Sequence, residues 1–162
     1  MAIIEEKLAA LGIVLPEPVK LPPGMVLPFS WVRSHGNRVF ISGHVGLETN
    51  GSPAGPFGKV GAEVSAEDGY RAARLTCIAM LADLKREIGD LDRVTAWLRV
   101  FGMVNTAPDF NAYPLVINGC SDLIIELYGE DRGGHARSAV GMAGLPFDCP
   151  VEIEAEVAID GG

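Results

Sequence analysis

The sequence has little of what metal, disulfide or nucleic-acid chemistry requires. Three cysteines occur in 162 residues, Cys77, Cys120 and Cys149. Their odd number and wide spacing exclude a disulfide framework. No C-x-x-C or H-x-x-x-H spacing exists, so no metal site is expected. Cations are scarce as well, with 13 Lys+Arg against 21 Asp+Glu and a formal charge of −8. Phosphate backbones are held by clustered cations, so nucleic acid is not an expected partner. Anionic membrane surfaces are disfavoured for the same reason. Long apolar runs are missing. The longest, Leu75 to Ala82, stops at Asp83, far short of the ~20 residues of a membrane span. Met1-Ala2-Ile3-Ile4-Glu5-Glu6 has no basic lead, so a signal peptide is not expected, and the cytoplasm is the expected compartment. Gly55-Pro56-Phe57-Gly58-Lys59-Val60 lacks the Ser/Thr of a phosphate loop. Ser42-Gly43-His44 is no nucleophile elbow, since G-x-S-x-G is absent.

Hydrophobic residues make up 48% of the chain, enough for a core without metal or disulfide staples. Residues 3–11 read as a short amphipathic helix ending at Gly12. Residues 13–28 hold five of the eleven prolines, a density that blocks helix and central strand and predicts an extended arm. The expected organisation is a helix and arm over 1–27 and a single domain over 28–162.

A hairpin is expected from Ser30–His35 and Arg38–Val45 around Gly36-Asn37. Gly43 inside the second strand suggests a bulge or a close backbone approach. Residues 46–64 are glycine-rich and read as a loop. Ser65 caps a helix whose apolar stripe runs from Tyr70 to Ile88 and stops at Gly89. Its opposite side, Arg71, Arg74, Asp83 and Lys85, reads as solvated. Arg93–Asn105 is a long strand, with Val94, Ala96, Leu98, Val100 and Val104 on one face and Thr95, Trp97, Arg99, Phe101 and Met103 on the other. Apolar residues on both faces imply cover on both sides, and the second cover points to another subunit. A second helix is expected over Pro114–Tyr128, then strands over Arg137–Ala143 and Val151–Ile159. The order β-β-α-β-α-β-β makes a two-layer α+β sandwich, a mixed sheet with two helices on one face.

The last strand alternates, placing Glu152, Glu154 and Glu156 on one face about 6.6 Å apart. Either this is the solvated face of an edge strand, or one carboxylate handles a proton or water in a cleft. Arg137 either pairs with Glu154 or Glu156 at the surface, a contact of little worth, or clamps a substrate carboxylate through its planar guanidinium. His35, His44 and His135 read as scattered polar or structural histidines, and His135 stands two residues from Arg137.

Arg137-Ser138-x-Val140-x-x-Ala143-x-Leu145, followed by Val151-Glu152-Ile153, resembles the C-terminal signature of the Rid family, the reactive intermediate deaminases. These are also called YjgF-like and once carried the label L-PSP endoribonuclease. Ser42-Gly43 and Asn118 match further family positions. The resemblance implies a chorismate-mutase-like fold with a mixed six-stranded-type sheet. It also implies a homotrimer whose sheets form a barrel, with clefts between subunits. In the family the Arg holds the carboxylate of a small 2-imino acid, a Glu positions the attacking water, and no cofactor is needed. Carried over, Arg137 is the clamp and Glu152 the water-positioning group. Gly43 and Ala139 supply backbone contacts, Asn118 a polar wall, and Ser42 and Ser138 flank them.

Three positions depart from the family. Phe29 stands where a Tyr is usual, His135 where a small residue or Pro is usual, and Ala139 where Cys is common. The arm and a longer 103–113 connection suggest a longer subgroup. The resemblance thus implies hydrolytic deamination of imines of the 2-iminobutanoate or 2-iminopropanoate type. The alternative is a non-catalytic trimer that binds small carboxylates. RNA cleavage is opposed by the net charge.

Overall fold

The computed structural model describes residues 2–161. Three helices, α1 (Ile3–Ala10), α2 (Ala66–Ile88) and α3 (Tyr113–Gly133), accompany five strands. The strands are β1 (Val32–His35), β2 (Arg38–His44), β3 (Val94–Asn105), β4 (Ala136–Met142) and β5 (Val151–Ile159). They lie in the order β1-β2-β5-β3-β4. β3 and β4 run parallel and all other pairs are antiparallel. α2 and α3 pack on one face, so the α+β sandwich follows the chain order read from the sequence. The sheet has five strands rather than six. The segment 46–64 is too rich in Gly and Pro to extend, and it makes only isolated bridges such as Leu47 to Pro53 and Val60 to Thr106.

β5 lies in the middle of the sheet, between β2 and β3, so its glutamates do not stand on an edge strand. Ile153, Ala155, Val157 and Ile159 face the helices and are buried. Strand register departs from simple alternation at three places. Between Ile41 and His44 three steps of β2 meet two of β5, the bulge that Gly43 suggested. β3 has two such places, between Val94 and Ala96 and between Trp97 and Arg99. Each extra residue flips the faces that follow it. Trp97 therefore joins Val94 and Val100 in the core, while Leu98 is exposed. The expected division of β3 into two alternating faces is corrected accordingly. The outer face carries Arg99, Phe101 and Met103.

Ser65 caps α2, its side chain accepting from the Asp68 amide. α3 approaches closely because two positions lack side chains. A Cβ on Gly119 would collide with the Tyr70 carbonyl of α2, and one on Gly102 would meet the Ile117 side chain at 2.5 Å. Gly129 breaks α3 with φ 71°, near the expected stop, but a last helical stretch continues to Gly133. Lys7 Nζ donates to the Leu127 carbonyl just before the break at 2.7 Å. This ties α1 to α3, with Ile4 and Leu8 buried.

The proline-rich arm lies along the body. The amides of Glu17 and Lys20 donate to the carbonyls of Thr49 and Gly51, each at 2.9 Å. Arg86 of α2 donates to the Pro16 carbonyl. Among the described residues no helix is long and apolar enough to cross a membrane.

Candidate functional site

The residues singled out in the sequence fall into two groups. The first lies where β4 meets α3. Arg137 is in register with Val100 and so turns toward the helices. Its Nη1 donates to Asn118 Oδ1 at 2.8 Å and to Ser121 Oγ at 3.1 Å, and Nη2 points at the Pro114 carbonyl 3.4 Å away. Asn118 and Ser121 are three residues apart, about one helical turn, and share a face. All three acceptors are neutral. Among the described residues no carboxylate lies within salt-bridge distance of this guanidinium. The surface ion pair with Glu154 or Glu156 does not form. Glu156 instead accepts from Arg38 Nε at 2.6 Å.

His135 adds to this group through Ser121. Its Nδ1 lies 2.7 Å from the Gly133 carbonyl and its Nε2 2.9 Å from Ser121 Oγ. A carbonyl only accepts, so Nδ1 bears hydrogen. In the neutral ring Nε2 then accepts from the serine. Hydrogen bonds thus run in one direction, from Arg137 through Ser121 and His135 to Gly133. Ala139 neighbours Arg137 on the same face of β4 and packs against the core. Ser138 lies opposite Phe101 on the outer face, away from the guanidinium.

The second group gathers at the β2 bulge. Glu152, Gly43 and Phe29 line one cavity of about 220 Å³. A Cβ on residue 43 would fall 2.5 Å from Glu152 Oε1, so glycine is what lets the carboxylate lie against β2. The Glu152 carboxyl is raised from its ordinary value. Burial is the main cause and the neighbouring Glu154 charge adds to it, opposed by His44. Phe29 packs edge-on against Trp31 with ring centroids 5.1 Å apart. Ser42 serves the bulge itself. Its hydroxyl donates to the Ser30 carbonyl at 2.7 Å, and its own carbonyl faces His44 Nδ1 at 2.6 Å.

Beneath the bulge His44 is buried. Its Nε2 lies 3.0 Å from Asp83 Oδ2. Its two ring nitrogens are thus held between the Ser42 carbonyl and the Asp83 carboxylate. Burial alone would raise the Asp83 carboxyl. Hydrogen bonds from His44 and Arg86 outweigh that and hold it below its ordinary value. Asp83 is therefore a core anchor and not part of a solvated helix face. The sequence reading kept His44 among scattered polar or structural histidines and put Asp83 on a solvated helix face, and it did not single out Trp31 or Ser121. The extra residue at Ser42-Gly43 turns His44 inward, and Asp83 is the lone acid ending an apolar run. Together these two signals could have paired them.

The two groups do not meet within one chain. Arg137 belongs to the helix-covered face of β4, and Glu152 to the outer face of β5, with β3 between the strands. No set of three or more His, Cys, Asp or Glu side chains is arranged to hold a metal ion among the described residues.

Residues 5–156 match the family model described as "YjgF/chorismate_mutase-like, putative endoribonuclease". The chain belongs to this family. The resemblance drawn from the spacing of Arg137 and Glu152 is borne out at that level. Among YjgF-like relatives, Protein TCP17 of Trypanosoma cruzi is 36% identical over 157 residues, covering 97% of this chain and 94% of that protein. The 2-iminobutanoate/2-iminopropanoate deaminase of Dermatophagoides farinae is 28% identical over 142 residues, covering 86% and 92%. The crystal structure of protein Atu1372 from Agrobacterium tumefaciens is 38% identical, with a TM-score of 0.86, and covers 98% of this chain and 92% of its own.

Proposed function

We propose that this protein hydrolyses small 2-imino acids to 2-oxo acids and ammonia, in clefts shared between protomers of a homotrimer. The observation that carries the reading is the guanidinium of Arg137. It is aimed by neutral acceptors, and no carboxylate among the described residues neutralises it. Such a fork is ready for a carboxylate, which it can bind with two parallel hydrogen bonds. The mite deaminase among the relatives supports the same substrate class.

The chemistry needs little more. An imine carbon is already electrophilic. Water adds to the carbon of the protonated imine while Glu152 takes the water's proton, giving a neutral carbinolamine. Glu152 passes that proton to the nitrogen and takes up the hydroxyl proton as the carbon–oxygen double bond forms, the C–N bond breaks and ammonia leaves. A carboxyl raised by burial is suited to carry a proton in both directions. Arg137 of one protomer facing Glu152 of the next accounts for the separation of the two groups within a chain. The half-buried Phe101 and Met103 on the outer face of β3 suit burial against a second copy.

One observation favours a second reading, a trimer that binds small carboxylates without turning them over. Phe29 lines the same cavity as Glu152 and offers no hydroxyl. The deciding experiment generates 2-iminobutanoate from threonine with a dehydratase and follows its loss by semicarbazide trapping. Acceleration that disappears in Arg137→Ala supports hydrolysis. No acceleration, together with retained binding of 2-oxobutanoate, gives the binding reading instead. Sedimentation of a single chain would overturn the shared cleft.

A further inference from the structure

The cavity that holds Glu152 is built mostly from a part of the chain outside the sheet. Leu21, Met25 and Leu27 of the arm, with Trp31, Val45 and Phe147, make its walls. Its charged or titratable lining residues are Glu152, His44 and Asp83. His44 and Asp83 are satisfied by each other, by Arg86 and by the Ser42 carbonyl. The remaining lining is hydrocarbon. At about 220 Å³ the space exceeds the ~150 Å³ in which a cavity holds a benzene ring.

The arm is tied to the body just before the wall. The arm is hydrogen-bonded through Glu17 and Lys20 to the 47–53 loop. Gly51 lies so close beneath the Pro18 carbonyl that no side chain fits there. On the opposite rim Phe147 adopts φ 59°, a left-handed conformation costly for a bulky residue. Phe147 is nevertheless 53% exposed, and Met25 is 51% exposed. Apolar groups held outward around a cavity, one of them on strained backbone, are the arrangement expected of a ligand wall.

Taking the imine-hydrolysis reading as given, we infer that Leu21, Met25, Leu27 and Phe147 form a side-chain subsite over Glu152 that selects 2-imino acids with large hydrocarbon side chains, branched or aromatic. An alanine-derived imine would leave that space to water between apolar walls. A leucine- or phenylalanine-derived imine fills it. A single methylene in such a pocket changes kcat/KM by about 10- to 200-fold, so the preference for leucine-derived over alanine-derived imine is at least tenfold.

The test uses the full chain. An L-amino acid oxidase with catalase generates imines from alanine, leucine and phenylalanine, and semicarbazide trapping reports their loss. In parallel, titration calorimetry compares pyruvate with 4-methyl-2-oxopentanoate. The subsite requires the leucine-to-alanine ratio of kcat/KM to exceed ten. That ratio falls about tenfold in Leu27→Trp, which fills the cavity, and in Met25→Glu, which charges it. Equal or better turnover of the alanine-derived imine overturns the subsite and leaves imine hydrolysis standing. So does a ratio unmoved in both folded variants. No hydrolysis, but tighter binding of 4-methyl-2-oxopentanoate that Leu27→Trp removes, overturns hydrolysis and keeps the subsite. Neither hydrolysis nor binding overturns both.

Discussion

Oε1 of Glu152 lies against the backbone of Gly43, 2.5 Å from where a Cβ on that residue would stand. Ordinary carbon contacts begin near 3.5 Å, so Gly43→Ala moves the carboxylate by about 1 Å. The obstruction is the end of a flexible side chain, and the fold tolerates it. A displacement of that size costs on the order of 100-fold in rate when the group acts on the reacting atoms. Gly43→Ala is therefore expected to lose about 100-fold in the semicarbazide assay with little change in Tm. Full activity in this variant would remove Glu152 from the chemistry.

Asn118→Asp places a carboxylate where the amide oxygen now accepts from Arg137 at 2.8 Å. The guanidinium then has a built-in partner and competes poorly for substrate. A hydrogen bond to a charged group is worth about 1.5–3 kcal/mol, so KM rises roughly tenfold or more. Arg137→Lys loses the fork geometry and falls by a similar factor in kcat/KM. Steady-state kinetics on 2-iminobutanoate check both.

The raised Glu152 carboxyl makes a pH prediction with a definite sign. As the proton acceptor it works when ionised, so the rate climbs with pH through a value raised from that of an ordinary glutamate. Because its folded pKa is raised, its stabilising contribution is present at acid pH and is lost as pH rises through that folded value. Glu152→Gln should be inactive, yet melt above the parent at pH 7. That advantage should shrink toward pH 4. A parent rate that is flat from pH 4 to 8 would contradict the assignment.

Asp83 has the opposite sign. Its carboxyl is lowered, so it stabilises the fold above the ordinary value and that contribution is lost as pH falls through the lower folded value. Asp83→Asn breaks the contact with buried His44 and weakens Arg86, which holds the arm at Pro16. The expected loss is on the order of 2 kcal/mol at pH 7. It narrows in strongly acid solution, as thermal melts across pH would show.

Gly119→Ala sets a methyl against the Tyr70 carbonyl of α2. Backbone offers little give, and overpacking of this kind costs about 1–3 kcal/mol. Tm should drop by roughly 2–12 °C.

Much of the fold was legible because local rules and tertiary packing agree. Ser65 caps α2 as its sequence suggests, and β5 keeps a clean period of two that places Glu152 outward. The parts that were not legible come from register. Two extra residues in β3 move Trp97 into the core and Leu98 out of it. Alternation read along one strand cannot show this, since the shift exists only relative to β5. The candidate site was half legible. Arg137, Asn118, Gly43 and Glu152 were named individually, but their division into two groups depends on strand order. The His44–Asp83 contact joins residues 39 apart across a bulge, where neither periodicity reports the other.

The central position of β5 has a consequence for biosynthesis. It completes β2 through pairs such as Arg38 with Glu156, which are 118 residues apart. Until β5 has emerged from the ribosome, β2 and β3 each present an unpaired apolar edge, the kind that captures strands from neighbouring nascent chains. The sheet closes late, and non-local closure is slow. Chaperone occupancy on translating polysomes should therefore stay high until residue 159 is exposed.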